Sequence, residues 1–285
     1  MQHRIDEFSS TSGERIFYQA WLPSSPPRAV LLLVHGLAEH SGRYEGFAEF
    51  FTAAGFAVHA LDHSGHGRSD GRRGYIRKFS DFTDALGIFV GEVRKQHPDL
   101  PMVLVGHSMG GLIASAYLIE HQSEFAMAVL SGPAIKAHEE PPKIAIWVMR
   151  LLARLLPRLG VIQLDASGVS RDPEVVQKYI NDPLVYSGKV SARLTVEMFK
   201  TMNSVVAGAS GIRLPVLLLH GGADTLAAVS GSQVLHDAIS SEDKKIVVYG
   251  GVYHEIFNEP ERLDIMSEMR AWIDERLPAA VTQGV

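Results

Sequence analysis

The sequence predicts an open, mostly parallel α/β sheet of about eight strands flanked by helices, with a mostly helical insertion over one end. Three observations predict it. Short apolar runs rich in β-branched residues recur at 30–34, 57–61, 102–105, 127–130, 216–219 and 246–249, and continuous apolar runs suit strands buried on both faces. Segments of helical period lie between most of them, at 44–54, 81–97, 111–121 and 231–240, which is the alternation of parallel strands with covering helices. From about 135 to 211 that alternation stops and no good strand is expected.

Two earlier segments, 5–8 and 15–21, alternate as an antiparallel entry hairpin does and bring the total to about eight strands. The interruption at 135–211 holds Glu139-Glu-Pro-Pro142, an apolar helical run at 144–156, the loop Ser170-Arg-Asp-Pro173 and a second helical stretch at 192–207. It is expected to be a cap, with residues 1–134 and 212–285 forming the core. Ligands of α/β sheets bind at the carboxyl ends of the strands, so a cap joining those ends would roof the site.

Composition narrows the function. The 285 residues are 46% hydrophobic, enough for one domain with a large insertion. A formal net charge of -5 leaves no basic excess for a phosphate backbone, which excludes nucleic acid as a partner. The absence of cysteine removes disulfides, thiolate nucleophiles and Cys-ligated metals together. Covalent catalysis must then use oxygen or nitrogen. The first eight residues carry charges where a secretory signal needs an apolar core, and no run of 18 apolar residues follows. A cytoplasmic protein, at most peripheral at membranes, is expected.

Two segments fit G-x-S-x-G: Gly106-His-Ser108-Met-Gly110 and Gly67-Arg-Ser69-Asp-Gly71. Only the first follows an apolar strand and opens a helix, the strand-turn-helix setting in which a serine nucleophile is exposed. Ser108 is the candidate nucleophile, and Ser69 reads as part of a surface turn. Serine needs a base, which in this arrangement follows the acid in chain order. Asp224 comes after the 216–219 run through Gly221-Gly222, and His254 after the 246–249 run through Gly250-Gly251, so both fall just past strand ends. Asp165, Asp172 and Asp182 belong to the insertion, while Asp237 and Asp243 lie in or after a helix. An oxyanion hole needs two preorganised N–H donors. The backbones of Met109, next to the nucleophile, and Leu37, in the loop after 30–34, are placed to supply them. His35 is expected to be structural or to shape that loop. The spacing of His35-Gly-Leu-Ala-Glu-His40 fits neither H-E-x-x-H nor H-x-x-E-H, so neither zinc nor any other metal or cofactor is expected.

These residues resemble the monoacylglycerol lipase family of serine α/β-hydrolases, which includes lysophospholipase-like members. The likeness runs nearly end to end through His35-Gly-Leu-Ala-Glu-His-Ser-Gly-Arg-Tyr44, Leu61-Asp-His-Ser-Gly-His-Gly-Arg-Ser-Asp-Gly71, Gly106-His-Ser-Met-Gly-Gly111, Ser170-Arg-Asp-Pro173, Asn181-Asp-Pro-Leu184 and Tyr253-His254. The resemblance implies the α/β-hydrolase fold, cofactor-free cleavage of one fatty acyl chain from glycerol, a triad of Ser108, Asp224 and His254, and an oxyanion hole of Leu37 and Met109. It also implies that Glu39, Arg43 and Tyr179 lie near the glycerol. Two departures, the small apolar segment Thr225-Leu-Ala-Ala-Val229 and Phe257 in place of a polar residue, leave a lysophospholipase or broad carboxylesterase as the alternative. Chemistry that attacks through aspartate would need Asp at position 108.

In the cap run, Lys143, Arg150, Arg154 and Arg158 recur at steps of seven and four and line one helical stripe, with Ile144, Trp147, Val148, Leu151, Leu155 and other apolar residues around the rest. Two readings fit: a helix packed on the core with a solvated basic edge, or a lid that touches an anionic lipid surface.

Overall fold

The computed structural model describes residues 1–138 and 142–277. The elements run β1 Gln2–Ser9, β2 Arg15–Leu22, β3 Ala29–Val34, α1 Glu45–Ala53, β4 Phe56–Leu61, α2 Ser80–Gln96, β5 Met102–His107, α3 Met109–His121 and β6 Met127–Ser131. They continue with α4 Lys143–Leu155, β7 Gly160–Ile162, α5 Pro173–Asn181, β8 Val190–Ser191, α6 Ala192–Gly208, β9 Val216–Gly221, α7 Val229–Ala238, β10 Lys244–Tyr249 and α8 Arg262–Asp274.

Eight strands form one sheet in the order β1-β2-β4-β3-β5-β6-β9-β10. β1 and β2 pair antiparallel, β2 meets β4 antiparallel, and every later pairing is parallel. This is the mostly parallel sheet with an entry hairpin that the apolar runs predict. Every residue of β3, β4, β5, β6 and β9 is buried, because helices cover both faces. Alternate side chains feed two cores. Val30, Leu32 and Val34 pack with Phe82 and Phe89 of α2 and Leu112 of α3, while Leu31 and Leu33 pack with Phe47 and Phe51 of α1 and Trp272 of α8. β1 closes one edge with the exposed charges Arg4, Asp6 and Glu7, which discourage edge pairing.

The segment between β6 and β9 departs from the reading of its sequence in two respects. It contains strand, since β7 and β8 pair as a short antiparallel ladder. It also contains a third helix, α5, begun by the Asp172 side chain accepting from the Glu174 N–H and by Pro173 in the first turn. The C-terminal helix α8 is a further element beyond those the sequence pattern predicts. The Glu139-Glu-Pro-Pro142 segment, except for its last proline, and the Lys143 side chain lie outside the described residues. No helix among the described residues is long and apolar enough to cross a membrane.

Candidate active site

Ser108 stands in the turn from β5 to α3 with φ 53° and ψ -119°, a left-handed conformation that costs a non-glycine residue of order 1–3 kcal/mol. Its surroundings hold it there: the Ser108 N–H donates to Ser131 O at 2.9 Å, and the Ser108 carbonyl accepts from Leu112 N at 3.1 Å and Ala134 N at 3.0 Å. The elbow glycines answer to packing. A Cβ on Gly110 would lie 2.0 Å from Val34 O, and one on Gly106 would lie 2.7 Å from Gly110 O. Only bare backbone lets α3 approach the sheet this closely and present the serine at its N-terminus.

Asp224 and His254 sit beyond β9 and β10, on adjacent strands at the same edge of the sheet. The His254 ring donates from Nδ1 to Asp224 Oδ2 at 2.6 Å. That leaves Nε2 as the acceptor, in the cavity that Ser108 also lines. Asp224 Oδ1 accepts from the Leu226 and Ala227 amides at 2.8 and 2.9 Å. A further histidine, His220, sets Nε2 3.1 Å from Asp224 Oδ2 while its Nδ1 meets Ser232 Oγ at 2.7 Å. Burial alone would raise Asp224, but the charge of His254 and the bonds from His220, His254 and the Ala227 amide hold it well below the usual carboxylate range. Burial opposes the charged form of His254, and Asp224 outweighs it, so the imidazole titrates above its ordinary value. Ser108 Oγ makes no hydrogen bond among the described residues, and in unliganded sites such bonds tighten only when substrate arrives.

The loop after β3 presses against the serine. A Cβ on Gly36 would lie 3.1 Å from Ser108 Cβ. Among the described residues neither the Leu37 nor the Met109 amide has a protein acceptor. His35 serves the loop: Nδ1 meets Gly36 O at 2.7 Å, and Nε2 accepts from the His63 N–H at 3.1 Å. Burial keeps its neighbours neutral, lowering His63 to about 3 and His66 to about 4. Ser69 is engaged elsewhere, accepting from the Phe17 N–H at 2.8 Å and donating to Asp62 O at 2.5 Å.

The cavity over Ser108 is apolar on the side of the insertion, where Ile162, Leu164, Val190, Met198, Phe199 and Met202 line it. It shares Ala137, Ile162 and Phe199 with a groove between α4 and α6. Beside the serine it turns polar. Glu39 and Glu255 line this end; Arg43 lies behind them, facing a polar groove on the other side, and Tyr179 lines the cavity with its ring over the Arg43 guanidinium at 4.6 Å. Arg43 Nη1 donates to Glu39 Oε2 at 3.0 Å and to Glu255 Oε1 at 2.5 Å, and Nη2 donates to Glu255 Oε2 at 2.7 Å. Glu255, Tyr44 and His220 were not picked out from the sequence. Glu255 had a signal, an acid directly after the candidate base in an otherwise apolar Ile256-Phe257 context. Phe257 is in the core against Phe47, at 5.0 Å between rings, and does not line the cavity. Among the described residues no group of three His, Asp or Glu is placed to hold a metal ion.

A serine on a strained turn at the head of a helix, with a buried acid and histidine past later strands of a mostly parallel sheet, defines the class as serine α/β-hydrolases. The chain belongs to the family described as serine aminopeptidase, S33, which matches residues 25–261. It is 43% identical to a monoacylglycerol lipase of Mycolicibacterium smegmatis over 95% of this chain and 96% of that one. It is 32% identical to the monoglyceride lipase of Rattus norvegicus, over 95% and 90%. The crystal structure of the Paleococcus ferrophilus monoacylglycerol lipase superimposes with a TM-score of 0.81 at 31% identity, covering 97% of this chain and all of that one.

Proposed function

We propose that this chain hydrolyses monoacylglycerols to fatty acid and glycerol through an acyl-enzyme on Ser108. The observation that carries the reading is the His254 to Asp224 bond of 2.6 Å beside the elbow serine, in a cavity apolar at one end and polar at the other. His254, oriented by Asp224, takes the Ser108 proton as Oγ attacks the ester carbonyl. The Leu37 and Met109 amides stabilise the oxyanion, His254 protonates the departing alcohol, and water repeats the sequence to free the acid. Residues 135–211 act as the cap over the acyl chain, and Glu39, Arg43 and Tyr179 set the polar end around the alcohol. Similarity to two named lipases over nearly the whole chain supports this substrate class.

The cap is also proposed to meet anionic lipid. Ala153 of α4 is buried against Ala192 and Val196, with Met149 and Leu152 beside it. Its other face leaves Ile144 70%, Trp147 61% and Leu155 66% exposed, with Arg150, Arg154 and Arg158 also at the surface. An open apolar face flanked by cations suits an anionic interface.

The test of the substrate class is kcat/KM on four substrates sharing one acyl chain: a 1-monoacylglycerol, a diacylglycerol, a lysophosphatidylcholine and an aminoacyl p-nitroanilide bearing that chain. Preference for the monoacylglycerol is expected. Preference for the lysophospholipid or the anilide overturns the reading.

A further inference from the structure

The carboxylates beside Ser108 have more negative charge than they have cation to offset it. A Cβ on Gly36 would lie 2.8 Å from Glu39 Oε1 and 3.1 Å from Ser108 Cβ, which places Glu39 next to the nucleophile. Glu255 directly follows His254 and lines the same end. Between them stands one guanidinium, with Nη1 shared by both acids and Nη2 given to Glu255. Glu39 also accepts from the Gly36 N–H at 2.6 Å and the Tyr44 hydroxyl at 2.8 Å, and Glu255 accepts from Asn258 Nδ2 at 2.9 Å. Each acid therefore receives three donor contacts, which favour the ionised carboxylate; against its burial, Arg43 holds Glu255 below its ordinary value, while burial and the charge of Glu255 raise Glu39. The three charged side chains are 4% (Glu39), 9% (Arg43) and 6% (Glu255) exposed, so water screens them little.

We propose that Glu39, Arg43 and Glu255 form a charge filter for the alcohol half of the substrate, with Glu255 as its specificity-determining residue. The inference rests on the ester-hydrolase reading above. The apolar end takes the acyl chain, which leaves the end beside Glu39 and Glu255 for the alcohol. A neutral polyol finds hydrogen-bond acceptors there, and a cationic alcohol finds a compensating field. A leaving group bearing phosphate loses its hydration, faces two carboxylates and meets an arginine already committed to them. His107 gives it no charge, because burial and the charge of His254 lower that ring to about 3. Lys136 is the one lysine or arginine in the cavity lining among the described residues, and it enters from the loop after β6.

The test uses three esters of one fatty acid whose alcohols differ in charge: 1-acylglycerol, 1-acylglycerol-3-phosphate and acylcholine. Wild type should favour the neutral and cationic esters over the phosphate ester. Glu255→Gln keeps the shape and an acceptor for Arg43 while removing one charge. A buried unit charge about 8 Å from another is worth on the order of 30-fold at an effective dielectric of about 20. Glu255→Gln should therefore raise phosphate-ester kcat/KM relative to 1-acylglycerol by about that factor and lower the acylcholine ratio. Glu255→Asp should restore both ratios. A merely loosened site would move both charged esters in one direction, which overturns the filter, as would wild-type turnover of the phosphate ester matching that of 1-acylglycerol. Loss of that turnover in Lys136→Met would assign it to the lysine. Titration of active sites with a fluorophosphonate corrects each ratio for unfolded protein. If wild type hydrolysed the phosphate ester and acylcholine but not 1-acylglycerol, the substrate class would fail, and the ratio of phosphate-ester to acylcholine kcat/KM in wild type against Glu255→Gln would still decide the filter.

Discussion

Replacing Arg43 with methionine strands two carboxylates in a site largely withdrawn from water. Arg43 is 9% exposed and supplies, among the described residues, the only guanidinium contact to Glu39 Oε2, Glu255 Oε1 and Glu255 Oε2. Methionine fills much of its volume and can still lie against Tyr179, so the loss is mainly electrostatic. Breaking a buried ion pair by removing one partner costs about 3–5 kcal/mol. At about 2–4 °C per kcal/mol for a domain of this size, the melting temperature should fall by roughly 6–20 °C at pH 8. The penalty should shrink on acidification. In wild type, burial works against ionised Glu255 but Arg43 prevails and holds its titration below the ordinary value, so its contribution is present above that value and fades as pH falls. Without Arg43 both acids titrate high and bind protons more tightly folded than unfolded, so the variant gains stability as pH drops. Urea unfolding of both proteins at pH 8 and pH 5 measures this, and Arg43→Met/Glu39→Gln/Glu255→Gln should recover most of the loss. A cost below about 1 kcal/mol, or one independent of pH, would refute the buried-array account.

Three further outcomes are expected. In Asp224→Asn, burial of His254 loses its main opponent and only the charges of Glu255 and Glu39 remain against it, so the acid limb of kcat/KM should move to lower pH than in wild type, where Asp224 holds the imidazole above its ordinary value, while kcat falls about 10⁴-fold; a limb that does not move would separate the histidine from the rate. Ser69→Ala should leave fluorophosphonate labelling intact and cost about 1–3 kcal/mol in urea, because the Phe17 N–H and Asp62 O lose their partner. Arg150→Glu with Arg154→Glu should weaken sedimentation with anionic vesicles by about 1 kcal/mol per charge, fading at high salt, with hydrolysis of a short soluble ester unchanged; equal sedimentation would leave α4 as an ordinary cap helix.

The sheet was legible because its central strands are buried on both faces and so read as unbroken apolar runs. The strand-turn-helix setting of Ser108 was legible for a related reason: of the two serines it alone is followed by a helix, whereas Ser69 spends its hydroxyl on the Phe17 N–H and Asp62 O. β7 and β8 were not legible, because ladders of three and two residues are shorter than any periodic signal. α5 was missed because Pro173 and the polar Ser170-Arg-Asp look like a loop, although Asp followed by Pro is also how a helix begins. In the sequence Phe257 looks like a substitution at the alcohol site, whereas its ring packs on Phe47 and Glu255, two positions earlier, lines the polar end. Glu255 and Phe257 lie two positions apart in the irregular turn that follows β10, where no fixed period says from sequence which side chain faces the cavity. The partners of buried polar groups were the least legible part. Arg43, four residues from Glu39, meets Glu255 across 212 positions of chain.

The most direct measurement is the release of glycerol from a monoacylglycerol while a fluorophosphonate modifies the protein, followed by peptide mass analysis. Glycerol release should fall in step with the addition of one phosphonyl group to the peptide carrying Ser108, and Ser108→Ala should take no label and lose about 10⁴- to 10⁶-fold in kcat. Continued release from fully labelled protein, or a label on any other residue that tracks the loss, would contradict the account.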